Sequence, residues 1–564
     1  MKSSLIAAAL LLCTAPLAGA PALARPASAS PASAEIATYA ETLLRRNYPA
    51  DGPGAAILVA KGDRVLFRGA RGLANLESRT PLRPDSVFRI GSVTKQFAAA
   101  GLLKLVEAGK VKLDDPLSKF LPDYPGGERI TVLQLLNHTS GVRSYTRIGG
   151  YMDEPIRRDL TTAQMLGVFR DLPADFEPGA DWAYNNSGYV LVGAVIEAVT
   201  GKPWHVYLDE ALFTPLGMAS TGYALDPRLA PRIVGGYSAQ DGIVTPMLPM
   251  SMTQPHAAGS LVSTVDDLLK WTRALHEGRV LGREAYTRMV TPEGPAAKPG
   301  VGYGFGLFIG QVRSHKLLWH NGGIFGFASS LYYLPGPDIT VVVLENDDVS
   351  NPLDTHDIIA RKLAAMAAGE PYPEMKAVDV DPAVLTTAEG VYRFEGDVRR
   401  VLRMVDAKLT AQRGNNPRAS LTPIGPDDFL YEDGFNRLQL VRDAAGRITG
   451  VRFFAGGDGA GELGLRTDEP LPGAPVGLQL PRPAMERLAG GYADGDLSLN
   501  VFIDGDRLKA QLAGQEPVTL RAVSATRFEV EETAAVLEFS EGSGPSAQVT
   551  VSQGRRTVTM KRTP

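Results

Sequence analysis

Cysteine is almost missing from this chain: Cys13 is the only one among 564 residues. A lone thiol excludes a disulfide scaffold, and its place in the apolar N-terminal stretch argues against thiol catalysis. Basic tracts are missing too. The formal net charge is −4, so neither nucleic acid nor an anionic membrane surface is indicated as a partner. The seven histidines are scattered, with no HExxH pair, so no metal and no cofactor is called for. No stretch after the N-terminus is long and apolar enough to span a bilayer.

What is present begins with a secretory pattern. Lys2 supplies the charged start, Leu5 to Cys13 the apolar segment, and Ala22-Leu23-Ala24 a small-residue cleavage site. Residues 1–24 are therefore expected to be a signal peptide. Leu12 stands where a lipoprotein signal would carry a small residue. The expectation is an exported protein, periplasmic or secreted, with no stable membrane insertion once the signal is removed. Composition is otherwise that of a globular protein, 44% hydrophobic and 21% charged, with length for several domains.

Residues 25–35 are rich in Ala, Pro and Ser. A helix is expected from Ala34 to about Arg46, then strands at Ala55–Ala60 and Val65–Gly72 joined by Lys61-Gly62-Asp63. A long helical middle follows, with helices at Gln96–Ala108, Thr162–Phe169, Tyr189–Val199 and Val265–His276. Strands return at Gly304–Ile309, Ser329–Tyr333 and Thr340–Leu344, before a helix at about Thr355–Ala368. Two strands, a helical middle, three strands and a helix predict an α+β antiparallel sheet whose first and last segments meet beside a helical lobe. After residue 373 the pattern changes to short alternating strands with an internal echo. Gly390-Val391-Tyr392 answers Gly490-Gly491-Tyr492, Leu409 answers Leu508, and Phe429 answers Phe528. Two small closed barrels are expected, giving domains at 25–375, 376–470 and 471–564.

Three segments carry candidate chemistry. Ser92-Val93-Thr94-Lys95 places a hydroxyl and an amine on one face of a helix start, so the amine can reach the hydroxyl. A lysine in a closed site can have its pKa lowered enough to accept the serine proton. Tyr184-Asn185-Asn186 precedes another helix. A phenol whose pKa is lowered by the lysine charge could act as a base, and the Asn186 amide could orient the lysine and bind a substrate amide. Trp319-His320-Asn321-Gly322-Gly323 reads equally well as a Gly-rich hairpin turn or as a strand edge that admits a substrate. Gly323 could then supply an oxyanion N–H, and His320 could contact substrate or steer protons.

Taken in order, these segments resemble the serine β-lactamase and penicillin-binding-protein superfamily, and within it the class C-type branch with Tyr-x-Asn as second element. Leu135-Leu136-Asn137-His138-Thr139-Ser140-Gly141, Phe176-Glu177-Pro178-Gly179 and Ala258-Gly259-Ser260-Leu261-Val262-Ser263-Thr264 are similar to further stretches of that branch. The resemblance implies that Ser92 is the acylated nucleophile and that Lys95 and Tyr184 share the proton transfers. It implies that Asn186 holds the network, and that Ser92 and Gly323 offer oxyanion N–H groups. His138 is read as structural. Where lactamases and DD-peptidases have Lys-Thr-Gly, this chain has His320-Asn321-Gly322, as the D-aminopeptidases and several esterases of the family do. A hydrolase followed by two lipocalin-like barrels resembles the D-aminopeptidases most. In those, a loop of the last barrel reaches the active site, and Gly456–Gly461 and Gly542–Ser546 are candidates for it. The expected substrate is a small molecule or short peptide, and a homodimer is compatible with the sequence.

Overall fold

The computed structural model describes residues 33–563 apart from 241–242, 299, 349–353, 374, 406, 415–417, 432–434, 458, 473–479, 495–496, 506, 513–516, 531–534, 541, 543 and 554–555. The signal segment 1–24, its cleavage site and Cys13 lie outside the described residues.

The first lobe is built on a six-stranded sheet whose order is Phe308–Val312, His315–Ile324, Phe327–Leu334, Ile339–Glu345, Ala55–Lys61 and Arg64–Arg71. Every neighbouring pair is antiparallel. The first and last segments meet as expected, Ile57 opposite Val343 and Val59 opposite Val341. These two central strands are apolar at nearly every position because both faces are covered. One face, with Ile57, Val59, Val341 and Val343, packs against Ile36 and Leu43 of the helix Ser33–Asn47 and Ile359 and Leu363 of the helix His356–Ala367. The other, with Ala56, Leu58, Val342 and Leu344, packs against the helical lobe, including Phe97 and Leu102 of the helix Thr94–Glu107. That helix therefore lies between sheet and lobe.

Two outcomes for the expected elements bear on the site. The late strand expected at 304–309 runs instead over Phe308–Val312. Of the two readings of the His320-Asn321-Gly322-Gly323 segment, the strand holds and the hairpin turn does not: the whole segment lies in the strand His315–Ile324. The turn falls later, at Phe325-Gly326, where Gly326 has φ 74°. A His-Asn-Gly-Gly run has weak strand propensity, and pairing with the strand Phe327–Leu334 on one side imposes the extended conformation, because the strand Phe308–Val312 stops at Trp319.

Residues 390–466 and 490–562 form two closed eight-stranded antiparallel barrels. Tyr392 and Tyr492, Leu409 and Leu508, and Phe429 and Phe528 are all buried in the two barrel cores. Short helices, Pro382–Thr386 and Arg482–Leu488, precede the barrels; neither shows in the sequence pattern. The first barrel rests on the hydrolase lobe through Phe435, whose ring lies 5.3 Å from the Arg361 guanidinium and 5.2 Å from the Tyr372 ring.

Candidate functional site

Ser92 sits in a single 3₁₀ turn, Gly91–Val93, that runs into the helix beginning at Thr94. Gly91 takes φ 47°, and a Cβ there would lie 3.1 Å from Gly323 N. A Cβ on Gly322 would lie 2.1 Å from Ile90 O and 2.9 Å from Ser92 N. These glycines let the Ser92 turn and the strand edge touch, with the amides of Ser92 and Gly323 both at the contact. The Ser329 hydroxyl, across the strand pair from Gly322, donates to Ile90 O at 2.9 Å and pins the turn to the sheet.

Lys95 is fully buried. Its Nζ lies 3.0 Å from Ser92 Oγ, 2.8 Å from Asn186 Oδ1 and 2.9 Å from Ala258 O. Burial holds its pKa well below the ordinary lysine value. A neutral amine has two N–H groups and one lone pair. Asn186 Oδ1 and Ala258 O are pure acceptors and use the two N–H groups, which leaves the lone pair facing the serine O–H. The surroundings of Lys95 therefore suit a base for Ser92, with no carboxylate needed to hold a charge.

Asn186 is the first residue of the helix Asn186–Thr200, which Asn185 caps by accepting from Gly188 N at 2.9 Å. Its Nδ2 donates to Thr146 Oγ1 at 3.1 Å. The lysine-orienting half of the expected role is thus visible, whereas a substrate amide would have to compete with Thr146. Tyr184 differs from expectation. Its hydroxyl is buried without a hydrogen-bond partner, and burial raises its pKa well above the ordinary phenol value, with Ser92 opposing weakly from nearby. The lysine charge expected to lower the phenol pKa is itself suppressed, so Tyr184 stays a neutral O–H donor. Its ring lies 4.7 Å from Lys95 Nζ.

His320 is buried, and both ring nitrogens are occupied. Nδ1 lies 2.6 Å from Asn321 O, and Nε2 3.1 Å from the Tyr303 hydroxyl. The carbonyl fixes Nδ1 as donor, so Nε2 accepts from Tyr303. Burial pulls its pKa down to about 3, leaving a neutral ring that offers no free nitrogen to a substrate. His138, at φ 64°, accepts from Asn185 N at 3.2 Å, and its ring centre lies 4.5 Å from those of both Tyr184 and Tyr303, tilted against each. It braces the tyrosines from behind.

Sequence reasoning missed four contributors. Tyr303 fixes His320, and Ala258 O fixes Lys95. Thr146 holds Asn186. Asp357 accepts from Asn321 Nδ2 at 2.7 Å and also from the Ser330 hydroxyl, tying the two strands behind the Gly322-Gly323 edge. Tyr303 had a signal in its Gly302-Tyr303-Gly304 setting. The others depend on contacts more than twenty-five residues apart. Of the two Gly-rich candidates for a loop that reaches the site, the described residues place Gly456 toward Arg361 and Gly544 O as an acceptor of Arg487 at the helix Arg482–Leu488. The second barrel instead brings Leu497 against Gly149, 2.8 Å from where a Cβ would sit, on the loop that carries Thr146.

A buried lysine bonded to a serine three residues earlier, beside a Tyr-x-Asn segment and a glycine strand edge, makes this the candidate site of the chain. Residues 44–366 match the Beta-lactamase family, and the chain belongs to that family. It is 27% identical over 345 residues to a D-aminopeptidase of Gluconobacter oxydans, a match covering 60% of this chain and 63% of that protein. It is 24% identical over 432 residues to penicillin-binding protein 4* of Bacillus subtilis, covering 73% of this chain and 94% of that one, and 36% identical over 184 residues to esterase EstB of Burkholderia gladioli, covering 30% and 47%. Several of these relatives are thus matched over less than two thirds of their length. Among solved structures, the octameric penicillin-binding protein homologue from Pyrococcus abyssi aligns over 76% of this chain and 99% of its own, at TM-score 0.55 and 26% identity. D-amino acid amidase from Ochrobactrum anthropi aligns over 59% and 97%, at TM-score 0.51 and 27% identity.

Proposed function

We propose that this chain hydrolyses small amides or short peptides through an acyl-enzyme on Ser92, with D-aminoacyl amides as the preferred class. The observation that carries the reading is the 3.0 Å contact between Ser92 Oγ and a buried Lys95 Nζ whose pKa burial has lowered. Lys95 takes the Ser92 proton as the hydroxyl attacks the carbonyl. The amides of Ser92 and Gly323 receive the oxyanion. Neutral Tyr184 then donates a proton to the departing amine, and Lys95 and Tyr184 reverse their roles as water attacks the ester. Asn186 keeps Lys95 aimed throughout.

The neutral, fully bonded His320 supports the choice of substrate, because it offers no cation to a substrate carboxylate. Similarity to a D-aminopeptidase and a D-amino acid amidase points the same way. An esterase is the second reading, favoured by the 36% identity to esterase EstB. No helix among the described residues is long and apolar enough to cross a membrane, and export to the periplasm or medium is proposed on the N-terminal pattern. Parallel assays on D-alanine p-nitroanilide, p-nitrophenyl butyrate and nitrocefin test the reading. The expected order is the D-aminoacyl amide first and nitrocefin last. Efficient nitrocefin turnover would overturn the role given to His320, and ester turnover without amide turnover would move the protein to the second reading.

A further inference from the structure

The two barrels are built to one plan, and they depart from it together at three inward positions. In both, a buried tyrosine near the barrel start donates from its hydroxyl to a carbonyl four residues earlier, at or just past the end of the short preceding helix, Tyr392 to Ala388 O at 2.8 Å and Tyr492 to Leu488 O at 2.7 Å. In both, an arginine of the closing strand pairs with that tyrosine in the ladder, Arg466 and Arg562. The partner of Tyr492 on the next strand is Leu499, but the partner of Tyr392 is Arg400. The partner of Leu520 is Val530, but that of Leu421 is Tyr431. The partner of Leu537 is Val551, but that of Leu438 is Phe453. Where the second barrel has three aliphatic side chains, the first has an arginine, a tyrosine and a phenylalanine.

These three residues meet. Arg400 is 5% exposed and lies on the inward face of its strand with Leu402. Nη1 donates to the Tyr431 hydroxyl at 3.0 Å. The guanidinium lies 3.7 Å from the Phe453 ring centre and 5.1 Å from that of Phe394. Nε is buried and meets no acceptor. Among the described residues no carboxylate forms an ion pair with it; Glu462 acts on it only at longer range, and Arg413, opposite it in the ladder, repels it. A guanidinium stays charged even where burial lowers its pKa, and a buried charge lacking a counter-ion is costly. Leucine serves the same place in the sister barrel, so the fold itself does not require the arginine.

We propose that this end of the first barrel is a binding site for a small organic carboxylate with an apolar or aromatic body. The carboxylate takes the free donors of Arg400 as a bidentate partner, and the body packs among Phe394, Phe453 and Tyr431. Phe435, four residues after Tyr431 in the chain, contacts Arg361 and Tyr372, so this barrel adjoins the hydrolase lobe. Hydrolysis of an amide releases a carboxylate of this class; that connection rests on the proposed function, whereas the site does not.

The test is calorimetric titration of the full chain with phenylacetate, with benzyl alcohol and inorganic phosphate as comparison probes. One phenylacetate is expected per chain, bound at least about tenfold more tightly than benzyl alcohol or phosphate. Arg400→Leu, which installs the residue of the second barrel, is expected to weaken phenylacetate at least about tenfold and to leave turnover of the best substrate unchanged. Tyr431→Phe is expected to weaken it less, and circular dichroism checks that both variants fold. Equal phenylacetate affinity in wild type and Arg400→Leu, no phenylacetate binding by the wild type, or phosphate binding as tightly as phenylacetate would each overturn the proposal. Loss of turnover in Ser92→Ala with phenylacetate binding retained would separate this site from the catalytic one.

Discussion

Two buried cations in this molecule solve the same electrostatic problem in opposite ways. Lys95, in the hydrolase lobe, is enclosed by three neutral oxygens and can release a proton, and burial lowers its pKa well below the ordinary lysine value. Arg400, in the first barrel, is enclosed by one phenol and two ring faces and cannot release one. Burial turns the lysine into a base. It turns the arginine into a donor in want of an anion. The side chain's own proton affinity, rather than the degree of burial, decides whether an enclosed cation becomes a catalyst or a receptor.

The comparison breaks most sharply at Lys95. Lys95→Arg would put a permanent charge where a neutral amine is needed, and Ser92→Ala would remove the nucleophile. Ser92→Ala is expected to abolish turnover, and Lys95→Arg to lower kcat by at least about a hundredfold. In the wild type, kcat/KM is expected to rise with pH through a value well below that of an ordinary lysine and then level off. A Lys95→Arg enzyme with wild-type kcat would erase the distinction between the two cations.

A smaller effect is expected behind the strand edge. Asp357 holds Asn321 and Ser330, one on each of two neighbouring strands. Hydrogen bonds to a charged group are worth about 1.5–3 kcal/mol. Asp357→Ala is therefore expected to lower kcat/KM by about tenfold or more through the Gly322-Gly323 edge, with Asp357→Asn recovering part of it. Equal losses in both variants would assign Asp357 a purely structural place.

A third buried group carries the comparison over to acids. Glu345 accepts a hydrogen bond from Tyr48, and burial, aided by Asp347, raises its pKa to about 8. The folded state thus holds a proton that the unfolded chain gives up near its ordinary value of 4.5. Stability from this group is present below that value and is lost as pH rises toward 8, by up to about 1.4 kcal/mol per pH unit. Glu345→Gln is expected to flatten that part of the stability profile in urea titrations at pH 5 to 9. An unchanged slope would show that Glu345 ionises freely in the fold.

The smallest effect sharpens the barrel comparison itself. Tyr392→Phe removes the hydrogen bond to Ala388 O, whereas Tyr492→Phe removes one to Leu488 O and one from Arg562, and each lost bond is expected to cost about 1 kcal/mol. A Tyr492→Phe loss no larger than that of Tyr392→Phe in thermal unfolding would mean that the Arg562 bond adds nothing to the second barrel.

Much of this is legible in the order of residues along the chain. The antiparallel sheet with its ends together follows from two early and several late apolar strands, and the two barrels follow from the echoes at Tyr392, Leu409 and Phe429. The proximity of Ser92 and Lys95 follows from a three-residue spacing on one helix face, a distance the backbone alone sets. Properties of that kind depend on neighbours along the chain. The choice between strand and turn at His320 is not legible there, because the extended form is imposed by a partner in the sheet. Nor is the raised pKa of Tyr184, because burial outweighs the lysine charge that local reasoning places beside it. Ala258 O, Tyr303 and Asp357 join the site only where distant segments cross. Sequence by itself determined that Ser92 and Lys95 lie within reach of each other and that a sheet-and-helix lobe is followed by two barrels. Tertiary structure alone decided which side chains carry a proton, because desolvation depends on everything packed around a group, whatever its position in the chain.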